Sequence, residues 1–95
     1  MLEKEIQKKI MKYLKTLEGG SFDVTTTGMY GSRGTADIIG VLKGCFVAIE
    51  VKQLKKKATP LQQNWLDNKK KCGAVCFVAH NVEEVKEMLR LENLI

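Results

Sequence analysis

Glu50 and Lys52 sit at the end of CFVAIEVK, an otherwise apolar run that reads as a buried β-strand from Cys45 to Lys52. Charges are costly to bury and are normally kept off such strands. Residues two apart on a strand leave the same face, so the acid and the lysine stand side by side. A second apolar run, Ala36 to Val41, joins the first across Leu42-Lys43-Gly44 and predicts a hairpin. With Lys43-Gly44 as a two-residue turn, Leu42 faces Cys45, and counting back puts Asp37 opposite Glu50. Directly paired residues have Cβ atoms about 5 Å apart. An even loop length keeps the two acids on one face, and an odd one separates them. Carboxylates that close repel each other unless a cation lies between them. Two hard oxygen ligands, completed by water and a main-chain carbonyl, suit Mg²⁺ or Mn²⁺. Lys52 then offers an ammonium to an attacking water or to charge on a phosphate. The plainer alternative is a same-face Glu50–Lys52 ion pair at a strand end.

Other residues are candidates to support this set. Glu3, on the same helical side as Ile6, Gln7 and Ile10, edges the apolar stripe of the first helix, whereas Glu5 falls with Lys9 and Lys12, where i,i+4 pairing accounts for it. The alternative for Glu3 is an acid that complements the helix dipole. Gln62, three residues after Thr59, fits a capping box. The loop before Asp37 carries Gly28, Gly31, Arg33 and Gly34; glycines admit a close ligand, and Arg33 can clamp a phosphate. Lys55, Lys56 and Lys57 directly follow the Glu50/Lys52 strand and can track a nucleic-acid backbone, while Lys69-Lys70-Lys71 reads as a solvated face.

The elements that must position these groups follow from periodicity. Leu2, Ile6, Ile10, Tyr13, Leu14 and Leu17 give a helix, stopped by Gly19-Gly20. Ser21 to Thr26 is a short strand. Thr59-Pro60 opens a second helix running to about Lys71, with Leu61, Trp65 and Leu66 inward. Ala74 to Ala79 is a strand, and Asn81 with Glu84 caps a last helix whose stripe is Val82, Val85, Met88 and Leu89. The expected order is α-β-β-β-α-β-α, an α/β (α+β mixed) fold in one domain over 1–95, with helices on both faces of a small central sheet.

Composition agrees with a small globular chain. Sixteen Lys+Arg against eleven Asp+Glu leave a net charge of +5 among 95 residues, which favours polyanions, nucleic acid first. Cys45, Cys72 and Cys76 read as reduced core residues, hence a cytoplasmic setting. Cys72, Cys76 and His80 lack the fourth ligand that a structural zinc site wants. No leader and no run near the ~20 apolar residues of a membrane span is expected.

Taken in order, these features resemble the PD-(D/E)XK nuclease superfamily, and more closely its virus-type replication-repair nuclease (VRR-NUC) domain. The resemblance is carried by Glu3-Lys4-Glu5-Ile6, Gly19-Gly20, Gly31-Ser32-Arg33-Gly34-Thr35-Ala36-Asp37, Glu50-Val51-Lys52 and Thr59-Pro60-Leu61-Gln62-Gln63-Asn64-Trp65. It implies a restriction-endonuclease-like core with a mixed sheet, Asp37 and Glu50 as metal ligands with the Val51 carbonyl as a third, and Lys52 as the catalytic lysine. Glu3 would be the helix acid and Gln62 a supporting polar residue, in Mg²⁺- or Mn²⁺-dependent hydrolysis of DNA. Stand-alone domains of this size resemble phage or prokaryotic homodimers that act on branched DNA in the manner of Holliday-junction resolvases. A monomeric flap or nicking nuclease, and a non-catalytic basic DNA-binding module, are the alternatives. Two departures stand out. Ala36 replaces the proline before the metal-binding acid, and SFDVTTT lacks the family's basic residue on the first strand.

Overall fold

The computed structural model describes residues 1–25 and 34–95. Its elements follow the expected order: α1 (Glu3–Leu14), β1 (Gly20–Val24), β2 (Ile38–Leu42), β3 (Cys45–Val51), α2 (Pro60–Lys71), β4 (Val75–Ala79) and α3 (Val82–Leu91). The strands form one sheet in the order β1-β2-β3-β4, antiparallel through β3 and parallel between β3 and β4, so the sheet is mixed.

The turn between β2 and β3 decides the register. Lys43 and Gly44 both have positive φ, 50° and 81°, as a two-residue type I′ hairpin requires, although lysine is a poor residue for that region. Leu42 therefore pairs with Cys45, and the ladder runs back to Ile38 opposite Ile49. Alternation along β3 then sorts its side chains. Val47, Ile49 and Val51 enter the larger core with Ile6, Ile10 and Leu14 of α1 and Val85 and Leu89 of α3. Ala48 enters a smaller cluster with Ala36, Leu66 and Cys76 beneath α2. Helices thus cover both faces, as strands apolar on both sides demand.

Two boundaries differ from the sequence expectation by more than one residue, each for a local reason. α1 ends at Leu14 rather than Leu17, because the chain tightens into i→i+3 bonds from Thr16 to Tyr13 and from Leu17 to Leu14. β2 starts at Ile38 rather than Ala36. There the Thr25 N–H donates to the Asp37 carbonyl at 2.8 Å, and the Thr25 hydroxyl donates to the Ala36 carbonyl at 2.7 Å, so a side chain continues the ladder. The predicted end of the first strand at Thr26 lies outside the described residues.

α2 begins as read: the Thr59 hydroxyl accepts from the Gln62 N–H, and the Gln62 side-chain oxygen accepts from the Thr59 N–H. Its inward set does not hold entirely. Leu66 is buried and Trp65 half-buried, but Leu61 is 49% exposed. In the first turn, beyond the sheet, Leu61 faces Gly34 instead of the core. One fully buried leucine contributes about 1.5–3 kcal/mol, so Leu66 is the main anchor of α2. Among the described residues no helix is long and apolar enough to cross a membrane.

Candidate active site

The site forms where β2 and β3 run out of ladder, on the face that α2 covers. Asp37 immediately precedes β2, one step beyond the Ile38–Ile49 pair, and continuing the register brings it opposite Glu50. It is held there by a bond from the Val51 N–H to its Oδ2 at 2.9 Å. A carboxylate thus takes over from the missing main-chain acceptor. Behind it, Gly34 passes α2 so closely, at φ 82°, that a Cβ would lie 2.6 Å from the Leu61 carbonyl oxygen. No larger residue fits that approach, which draws the segment before Asp37 onto the first turn of α2.

Glu50 is 2% exposed, the only buried charged side chain among the described residues. Its Oε2 lies 3.8 Å from the Lys52 ammonium, an ion pair too long for a hydrogen bond. Its Oε1 is buried with no partner. Such an atom normally costs about 1–3 kcal/mol, more when charged. Burial above all, then the charge of Asp37 and a hydrogen bond shared with it, push the Glu50 carboxyl up to about 8; Lys52 opposes this and Glu3 adds to it weakly. The arrangement is a carboxyl pair with too little positive charge.

The sequence candidates divide accordingly. Asp37, Glu50 and Lys52 come together as the hairpin register predicted, beside the main chain of Val51. Glu3 is exposed on α1, which packs on the opposite face of the sheet, and approaches only as one of the charges Glu50 senses. Gln62 spends its side-chain oxygen on the capping box. Lys55, Lys56 and Lys57 are exposed in the segment after β3, with Lys55 at φ 69°. Arg33, with Gly28 and Gly31, lies outside the described residues. The expected pairing of Glu5 with Lys9 or Lys12 is not made: among the described residues Glu5 has no ion pair within 4.0 Å.

One group near this end escaped the sequence reading. The His80 ring lies between two acceptors, with Nδ1 2.8 Å from Glu84 Oε1 and Nε2 2.8 Å from the Lys56 carbonyl oxygen. Only an imidazolium can donate to both. The bond to Lys56 and then the one to Glu84 hold the His80 pKa above its ordinary value. This clamp joins the lysine segment to the start of α3. Asn81 caps α3 as read, its side-chain oxygen accepting from the Glu84 N–H at 2.8 Å, while the Glu84 carboxylate accepts from the His80 N–H at 2.9 Å. A raised folded pKa contributes stability that is complete below the unfolded value near 6.5 and lost as pH rises through the folded one. His80→Ala should therefore cost roughly 1–2 kcal/mol at pH 5.5 and clearly less at pH 9, read from urea melts at both. An equal loss at both pH values would show that the ring acts without its charge.

The architecture matches solved structures over nearly the whole chain. One, described as a VRR_NUC domain, is 26% identical with a TM-score of 0.77, covering 93% of this chain and 94% of its own. Another, described as a VRR_NUC domain protein, has a TM-score of 0.78, covering all of this chain and 88% of its own; at 20% identity it speaks for the fold alone. No family profile and no curated protein matches the sequence. This structural likeness points to a nuclease-type domain. More narrowly, the resemblance to the VRR-NUC domain holds from α1 to the end of the chain.

Proposed function

We propose that the chain is a divalent-metal-dependent DNA endonuclease that hydrolyses phosphodiester bonds in branched DNA as a homodimer, in the manner of a Holliday-junction resolvase. The observation that carries this reading is the buried, unpartnered Glu50 Oε1 beside Asp37, with only the Lys52 ammonium, 3.8 Å from the other Glu50 oxygen, to offset the two acids. Their chemistry fits a cation. Among the described residues no three His, Cys, Asp or Glu side chains converge, so Asp37, Glu50 and the Val51 carbonyl would hold Mg²⁺ or Mn²⁺ with water completing the shell. The bound ion would supply Lewis-acid stabilisation of charge on the phosphate.

The chain's own groups account for the rest. Lys52, half-buried and fixed by its main-chain bond to Ala79, holds an ammonium beside the acids, where it orients a water and offsets the added negative charge. Asp37 is oriented by the Val51 N–H, which donates to its Oδ2. Glu3 and Gln62 act from the margin, the first through charge and the second by fixing the start of α2. Lys55, Lys56, Lys57 and Arg33 contact the DNA backbone. Two copies related by a two-fold axis would present two such sites to a symmetric junction, which a 95-residue domain has little surface to grip alone.

Incubation with four-way, forked and linear DNAs, in Mg²⁺ and in chelator, tests this reading together with sedimentation of the free protein. Paired symmetric cuts on the four-way DNA by a dimer are expected in Mg²⁺ only. Single cuts on a splayed arm by a monomer would support the flap-nuclease alternative. Binding without cleavage in either ion would support the non-catalytic module.

A further inference from the structure

A second cationic surface lies on α1, away from the acids. Gln7, Lys8, Met11, Lys12 and Lys15 line an open groove with Val24 of β1. The lysines recur at spacings of four and then three residues, so they share one side of the helix. Like charges at that spacing destabilise a helix by about 0.2–0.5 kcal/mol per pair. Nothing nearby offsets them. None of the six lining residues is acidic, and among the described residues none of the three lysines joins an ion pair. Asp23 leaves β1 on the face opposite to Val24. Glu5, one turn before Lys8, is the nearest acid along the helix and does not line the groove.

The floor is apolar. Met11 is half-buried against the larger core, and Val24 remains 43% exposed. An ammonium wall over an apolar floor suits a sugar-phosphate chain, which presents anionic oxygens on one side and deoxyribose carbons on the other. The dimensions agree as well. Lys8 to Lys15 covers about 10 Å of helix axis, on the order of three nucleotide steps at about 3.4 Å each. Gln7, at one end of the groove, follows Glu3 by one turn of α1.

We infer that this groove is a non-catalytic track for the backbone of one DNA arm leaving the active site, with Lys8, Lys12 and Lys15 each meeting a phosphate. The inference rests on the nuclease reading and adds where the uncut arm lies. Glutamine at all three positions (K8Q, K12Q, K15Q) keeps helix propensity and removes three charges. The slope of log affinity against log salt for a long-armed duplex should fall by about 2–3, and affinity near physiological salt should drop roughly tenfold or more. Cleavage of a substrate with that arm trimmed to a few base pairs should match the parent.

The control is glutamine at Lys69, Lys70 and Lys71, which removes the same net charge elsewhere. Equal losses from the two triples, or an unchanged slope in the first, would overturn the groove assignment. So would an unchanged DNA slope with lost binding to phosphatidylserine vesicles, which would make the partner a membrane surface. Asp37→Asn separates the two layers. Full cleavage in that variant removes Asp37 from the proposed site, and absence of cleavage in the parent sinks the nuclease reading, whereas the salt slopes still report on the groove.

Discussion

Asp37→Asn is expected to lower DNA cleavage in Mg²⁺ by about three orders of magnitude or more, while the melting temperature stays within a few degrees of the parent. The two outcomes separate because the carboxylate has two uses. Its charge belongs to the proposed ion site, and several kcal/mol of charge stabilisation depend on it. Its Oδ2 also accepts from the Val51 N–H at 2.9 Å, which an asparagine oxygen can do equally well. Alanine cannot. Asp37→Ala should lose cleavage and also about 1–3 kcal/mol, because a main-chain N–H at the end of β3 is left without its partner. Single-turnover cleavage and thermal melts on the two variants resolve these contributions. Robust cleavage by the asparagine variant would remove Asp37 from the chemistry.

Glu50→Gln should stabilise the protein in chelator at pH 8, by roughly 2–4 kcal/mol, and abolish cleavage. Burial and the neighbouring Asp37 raise the folded carboxyl to about 8 from an ordinary 4.5. Between those values the native state binds more protons than the unfolded one, so stability falls as pH rises through that window. Glutamine has no proton to lose and escapes the penalty. Its advantage should therefore shrink towards pH 4.5, below which the parent carboxyl becomes neutral in both states. Urea melts at pH 5 and pH 8, with and without Mg²⁺, give the comparison; Mg²⁺ should stabilise the parent and leave the variant unmoved. A glutamine variant weaker than the parent at pH 8 in chelator would mean that Glu50 is stabilised by its surroundings.

The parts of the site legible in the sequence were those set by local rules. Alternation placed Glu50 and Lys52 on one face. An even, two-residue turn at Lys43-Gly44 carried that face across to Asp37, and the structure keeps the same count. Thr59, Pro60 and Gln62 announced the start of α2, and the same signal explains why the Gln62 oxygen is engaged at the cap. What the sequence hid depends on contacts between distant segments. Leu61 has the right spacing to join Trp65 inward, yet it sits where α2 overhangs the sheet, so periodicity alone misplaced it. His80 meets a carbonyl 24 residues away, and no local pattern marks such a partner. The pairing assigned to Glu5 failed for a related reason: spacing permits an ion pair but does not form it, and exposed pairs contribute little.

The two faces of the sheet are unequally secured. α1 and α3 interlock over a broad buried apolar cluster, whereas beneath α2 only Leu66, Ala36, Ala48 and Cys76 are fully buried, with Ile39, Phe46, Trp65, Ala74 and Val78 partly buried around them. The side that carries Glu50 is therefore the one with the smaller fully buried core. Local opening on that side would be what exposes Glu50, which is 2% exposed in this arrangement.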